Sequence, residues 1–399
     1  MATQPALPAG TGSTRREALV AAGAAWFAVG TGVARAMPLG PTLPGAMGIG
    51  IDLTPQGMRV PGVLQDYTVL RVQPWAPRLL ARATHVRFWV DWPVVQPDGA
   101  IALEDPANPG LPNLLALDSQ IDAVVADGLQ VILMPYRYPR WVNHTRVHFH
   151  GRSPEWRMPR SGHAPDSPWA RFVESLWLRY SCRMSCFEVV NEPNLQIWPQ
   201  TRVAERVAEM ITTVDAIARR HEQSVTCLAP SISDAESDKA HLVTQQRPFI
   251  ATLLESLERR GFEGGERWVW SFHNYNDAER GGDRASAMRA QLGGRWRGRR
   301  APDGGPLVYA TEGGVRLAAV AQHFGRTLSP QRQRDGQAAM LADAVARYER
   351  TPGIGLFTQY TVSADPNYDC GLREVDGSPR PAFDAFVRGP RAPGRYTPG

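Results

Sequence analysis

The sequence predicts an α/β fold, a single (β/α)8 or TIM barrel with elaborated strand-end loops, and three observations carry that prediction. Eight short, β-rich apolar runs recur along the chain. Segments with helical apolar spacing separate them, the alternation expected of a parallel sheet covered by helices. No glycine-rich phosphate turn follows the first run, as an open doubly wound sheet would usually show, and eight strand-helix units are enough to close a barrel.

The runs, in order, are MGIGIDL (47–53), HVRFWVDW (85–92), LQVILMPY (129–136), FEVVNEP (187–193), SVTCLAPS (224–231), WVWSFHNY (268–275), PLVYATEGG (306–314) and GIGLFTQY (353–360). Helices are expected over ALDSQIDAVVADG before the third run, PWARFVESLWLRY before the fourth and RVAERVAEMITTVDAIARR before the fifth. FIATLLESLERRG before the sixth and QRQRDGQAAMLADAVARYER before the eighth read the same way. In the first of these, Ile121, Val124 and Val125 share a face while Asp118, Asp122 and Asp127 fall elsewhere, and Gly128 supplies the stop. The polar stretch 142–166, with His144, His148, His150 and His163, reads as an elaborated loop after the third strand.

Composition agrees with one large folded unit. The chain has 399 residues, 43% hydrophobic and 21% charged, with no internal repeat or low-complexity linker to mark a second domain. Residues 1–36 stand apart: Arg15 and Arg16 precede a short apolar stretch that ends in Ala34-Arg35-Ala36, a small-x-small cleavage site. This is similar to a twin-arginine export signal, and its apolar run is shorter than the roughly 20 residues a bilayer span needs. Residues 37–399 are therefore expected to form the catalytic barrel domain, exported to the periplasm or the extracellular space, with no stable membrane insertion.

Charge excludes some partners. Removing residues 1–36 takes away three arginines and one glutamate, which lowers the formal charge from +5 to +3. That balance, with no basic motif carrying interleaved aromatics, argues against nucleic acid. The arginine-rich GGRWRGRRAPDGG around 295–300 reads as a solvated loop. Cys182, Cys186, Cys227 and Cys370 lack CxxC spacing, leaving buried thiols or one or two disulfides equally open. No metal or other cofactor is expected: His148 and His150 alternate in VHFH, but no third ligand accompanies them.

Chemistry gathers at the strand ends. Glu192 follows the fourth strand and Glu312 closes the seventh, so a closed barrel points both into one mouth. Paired carboxylates of this kind serve glycoside hydrolysis, one protonating the leaving oxygen while the other attacks the anomeric carbon or activates water. Trp92, Trp141 and Trp198 follow strand ends where an aromatic ring can stack on a sugar face, and Asp91 and Asp365 lie near such ends.

The phrases EVVNEPN and LVYATEGG, together with VRFWVDWPVVQP, FHNY and GLREVDGSPRPAFDAF in that chain order, resemble glycoside hydrolase clan A, most closely its family 39 and family 5 relatives. The resemblance spans most of residues 37–399. It implies a retaining glycosidase with Glu192 as acid/base, Glu312 as nucleophile, Asn191 on the sugar 2-hydroxyl, Tyr275 orienting Glu312, Arg87 beneath it keeping it ionised, and His273 lining the sugar pocket. One departure stands out. Many clan members place a tryptophan at the end of strand eight as the floor of the sugar subsite, where this chain offers Tyr360, Gln359 or Phe357. A carbohydrate-binding pseudoenzyme or a transglycosylase would use the same residues. The implied partner is a polysaccharide or oligosaccharide, and nothing in the sequence specifies an oligomeric state.

Overall fold

A computed structural model describes residues 47–53, 66–143, 155, 157–159, 162–195, 202–221, 224–235, 244–324, 327–365 and 368–388. Residues 1–36, Trp198, and His144, His148 and His150 lie outside them.

Eight parallel strands close into a barrel: β1 Gly48–Leu53, β2 His85–Asp91, β3 Gln130–Tyr136, β4 Cys186–Glu188, β5 Thr226–Leu228, β6 Trp268–His273, β7 Val308–Gly313 and β8 Ile354–Gln359. Each pairs with its sequence neighbour, and β1 closes on β8 through Gly48↔Leu356. The β5 edge is interrupted. Cys227 pairs with Trp268, and a separate two-residue strand, Ile232–Ser233, resumes against Phe272 and His273.

Among the described residues, eight helices of eight residues or more surround the barrel: α1 Leu111–Ala126, α2 Pro168–Tyr180, α3 Val203–Arg220, α4 Gln246–Arg259, α5 Arg284–Leu292, α6 Leu317–Phe324, α7 Pro330–Arg350 and α8 Pro381–Arg388. Local chemistry sets several of their ends. Ser167 and Ser329 cap α2 and α7, accepting the backbone N–H of Ala170 and Arg332, and a proline follows each serine at the first helical position. Gly128, at φ +74°, takes the left-handed position just past α1, as its place in the sequence predicts. Helices α5, α6 and α8 are not among the five that apolar spacing predicts. The buried face of α5 is only Ala285, Met288 and Leu292, too sparse to register as an apolar stripe.

The barrel interior is filled, not hollow. Ile132, Cys186, Leu228, Val269 and Leu356 form an apolar cluster inside the strands, with Leu307 and Tyr309 packed against it. A separate, larger core lies between strands and helices. The arginine-rich turn keeps Arg295, Arg297 and Arg300 exposed, as expected of a solvated loop, while Trp296 is fully buried, Arg295 pairs with Glu258, and Arg299 and Arg300 donate to the carbonyls of Glu266, Gly293 and Trp296. All four cysteines are free thiols, Cys182 exposed and the other three buried. Of the four loop histidines only His163 is described, and it is buried, its Nε2 2.9 Å from the Tyr138 hydroxyl.

Candidate active site

Strand alternation places the first functional side chain. In β2, Val86, Phe88 and Val90 join the outer core, so Arg87 and Trp89 face the barrel axis. A fully buried guanidinium needs compensation, and Arg87 has it on every side. Its Nε donates to Glu188 Oε2 at 2.7 Å, and its Nη2 to Asn191 Oδ1 at 2.7 Å. Its Nη1 donates to Asp52 Oδ2 at 2.6 Å and to Glu312 Oε2 at 2.9 Å. The Trp89 ring lies 5.0 Å from the guanidinium carbon, and its Nε1 donates to Asp52 Oδ1 at 2.6 Å. Glu188, fully buried, also accepts from Thr311 Oγ1 at 2.7 Å.

The end of β4 turns sharply. Asn191 bridges to Ser231, the Glu192 N–H donates to the Ser231 carbonyl at 2.9 Å, and Glu192 itself sits at φ +40°. A non-glycine residue in that region is held by its surroundings, and such positions cluster at functional sites. His273, the last residue of β6, is fully buried with Nδ1 2.9 Å from Glu192 Oε1 and Nε2 3.6 Å from Glu312 Oε2. Tyr275 opens the helical turn Tyr275–Arg280 and donates its hydroxyl to Glu312 Oε1 at 2.7 Å. That turn is anchored by buried Asp234, which accepts the backbone N–H groups of Asn276 and Asp277 at 3.1 and 2.8 Å.

Both oxygens of Glu312 are thus held by donors, whereas the Glu192 side chain keeps 16% of its surface open. One donor atom from each of Glu192, His273 and Glu312 lies within 4.8 Å of the others, so the two carboxylates face each other across the mouth. The mutual contacts of the three groups account for that spacing. Arg87 and Tyr275 already hold the Glu312 oxygens, which leaves the trio poorly suited to a cation.

The electrostatics differ from the expectation in one respect. Arg87 was expected to keep Glu312 ionised, yet the Glu312 carboxyl is pushed up: burial outweighs His273 and Arg87, and Glu192 adds to the rise. The physical reason is that one guanidinium serves Asp52, Glu188 and Glu312 together. Asp52 is pushed up to about 7 by burial, against the pull of Arg87 and with a further push from Glu312. Burial alone would lower His273, but Glu312 and the contact with Glu192 outweigh it and raise it.

The structure brings Arg87, Asn191, Glu192, His273, Tyr275 and Glu312 together. It moves two tryptophans away. Trp92 is 1% exposed and stacks on Phe172 at 4.4 Å, with Tyr138 and Trp141 at its edges, so it is core and has no face for a sugar. Trp141 packs edge-on against Trp92 and over Gly99, where an added Cβ would fall 2.3 Å from the indole. Of the three candidates on strand eight, Phe357 is buried against Tyr348 of α7 and Gln359 donates to the carbonyls of Tyr360 and Cys370. Tyr360 remains, its ring edge-on to Tyr275 and Tyr368. Asp91 is committed to an ion pair with Arg137, and Asp365 lies 3.5 Å from the Tyr360 hydroxyl.

Sequence reasoning missed Asp52, Glu188, Trp89 and Tyr368. A signal for the first two was present: a lone carboxylate inside an otherwise apolar strand must face a partner.

No protein-family model matches the chain, and no curated protein matches it in sequence. Solved structures do match. The fold is shared with glycoside hydrolases. A family 39 glycoside hydrolase from Bacteroides cellulosilyticus WH2 superposes with a TM-score of 0.53 at 16% identity, over 85% of this chain and 62% of that one. A GH39 β-xylosidase from Caulobacter crescentus gives 0.54 at 16% identity, over 89% and 72%. A GH5_18 protein from Streptomyces cattleya, solved with GlcNAc, gives 0.51 at 17% identity, over 87% and 82%. The chain thus spans under two thirds of the Bacteroides protein's length.

Proposed function

We propose that the chain is an exported retaining glycoside hydrolase that cleaves glycosidic bonds of a poly- or oligosaccharide, with Glu312 as nucleophile and Glu192 as acid/base. The observation that carries this reading is the pair of facing carboxylates, one oxygen of each within 4.8 Å of the other, Glu312 in β7 and Glu192 four residues beyond β4. Retaining enzymes hold their carboxyl groups about 5 to 5.5 Å apart, whereas inverting ones need about 6.5 to 9.5 Å to admit water.

In the first step Glu312 attacks the anomeric carbon while Glu192 delivers its proton to the departing oxygen, leaving a covalent glycosyl-enzyme. Arg87 and Tyr275 fix the attacking carboxylate by one hydrogen bond to each oxygen. Ester formation removes the negative charge of Glu312. Glu192, relieved of that repulsion, then accepts a proton from water, which attacks the same carbon and frees the sugar. Asn191, oriented by Arg87, is placed to donate its amide to the 2-hydroxyl. Trp89, Tyr360 and Tyr368 supply an aromatic wall in place of a strand-eight tryptophan. The excess of carboxylates over Arg87 and His273 disfavours an acidic sugar in this site.

Export rests on the paired arginines and cleavage pattern of residues 1–36; among the described residues no helix is long and apolar enough to cross a membrane. The test is incubation of the purified protein with a panel of polysaccharides and aryl glycosides, with released sugars followed by chromatography and Glu312→Gln run alongside. Release by the parent alone is expected. Tight binding without release by either protein would replace the hydrolase with a carbohydrate-binding pseudoenzyme, and transfer to a sugar hydroxyl would make it a transglycosylase.

A further inference from the structure

Asp52 has no part in the reaction just described, yet it is fully buried at the end of β1 and joined to the site by one atom. Arg87 Nη1 carries two hydrogens and gives one to Asp52 Oδ2 at 2.6 Å and the other to Glu312 Oε2 at 2.9 Å. The second Asp52 oxygen is fastened by the Trp89 indole N–H at 2.6 Å, which favours the charged carboxylate. A single buried cationic nitrogen therefore sits between two anions, and charge it gives to one is withheld from the other.

We propose that Asp52 is a positioning residue that competes with Glu312 for Arg87 and so governs how readily the nucleophile carries its charge. The surroundings of Glu312 leave Asp52 as the adjustable member. Arg87 on β2, His273 on β6 and the Tyr275 hydroxyl after β6 favour the anion. Glu188 on β4 draws on the same guanidinium, and Glu192 beyond β4 repels directly. Tyr136 on β3, Tyr360 just past β8 and Cys370 feel the Glu312 charge but hold their own protons, their ionisation being pushed up by burial. Glu188 is committed to Arg87 Nε and Thr311, whereas Asp52 shares Nη1 itself and is pushed up to about 7, a range in which it changes charge.

The inference rests on Glu312 as nucleophile, and its test needs no substrate. Protein carrying 13C-labelled glutamate carboxyls is titrated by NMR, and the Glu312 resonance is assigned by its loss in Glu312→Gln. In Asp52→Asn the side chain can still accept from Arg87 or Trp89 but bears no charge. The Glu312 midpoint is expected to fall by about one pH unit or more, roughly tenfold in proton affinity. Trp89→Phe, which alters neither carboxylate, removes a donor that favours charged Asp52. It should move Glu312 in the same direction by less, and it keeps the proposal testable if Asp52→Asn does not fold. An unmoved Glu312 midpoint in folded Asp52→Asn, or in folded Trp89→Phe should Asp52→Asn fail to fold, would overturn the proposal. A shift in a protein that cleaves no glycoside would instead uphold the coupling and sink the hydrolase.

Discussion

Towards the strand starts the barrel interior is Ile132, Cys186, Leu228, Val269 and Leu356; nearer the mouth it is Arg87, Glu188, His273 and Glu312. On β4 the change takes two residues, Cys186 to Glu188, about 6.6 Å of strand. Both layers are largely buried. The lower one is held by packing alone, which tolerates no charge, while the upper one concentrates four carboxylates, one guanidinium and one imidazole that satisfy each other. The difference teaches that depth along a barrel strand decides whether a residue stabilises or reacts.

The sharpest way to break this comparison is Glu312→Gln. It keeps the shape of the upper layer and removes its nucleophile, so hydrolysis should fall by more than roughly 10⁴-fold, beyond the upper end for loss of a general acid alone. The melting temperature should hold. A well-folded variant with near-normal turnover would erase the distinction between the layers. Glu192→Ala comes next, with an expected loss of about 10² to 10⁴-fold on glycosides with poor leaving groups and much less on aryl glycosides with good ones. Equal losses on both would show that Glu192 is not the proton donor.

Leu356→Ala probes the lower layer and should invert the pattern. Its fully buried side chain predicts a loss of about 2 to 5 kcal/mol in denaturant unfolding, with kcat little changed in the folded fraction. Asp234→Asn is the subtlest. Burial pushes Asp234 up to about 7, above its unfolded value, despite the two backbone N–H groups it accepts. The proton it binds on folding therefore contributes stability that is fully present below the unfolded pKa of about 3.9 and is lost as pH rises through about 7. Asparagine carries no such charge, so the variant should melt close to the parent near pH 4 and gain on it towards pH 8. A parallel pair of melting curves would show that Asp234 does not titrate there.

Much of the upper layer is legible in the sequence. Glu192 and Glu312 announce themselves because a carboxylate directly behind a run of strand formers has few tolerable places to go. The tryptophans were less legible. Trp92 and Trp141 follow strand ends as a sugar platform would, but α2 brings Phe172 against Trp92, and no local pattern records that approach. Asp52 was passed over for the complementary reason: MGIGIDL reads as a buried strand, and the demand for a partner is met by Arg87, 35 residues away.

By itself the sequence determined the eight strands, their order, five helices and the two strand-end glutamates, because periodicity and strand punctuation are local properties. Only the tertiary structure decided which side chains share Arg87, that Tyr360 rather than Phe357 or Gln359 flanks the site, and that the two carboxylates face each other within 4.8 Å. Closing a barrel fixes strand tilt and register together, and those set the distances between residues more than a hundred positions apart.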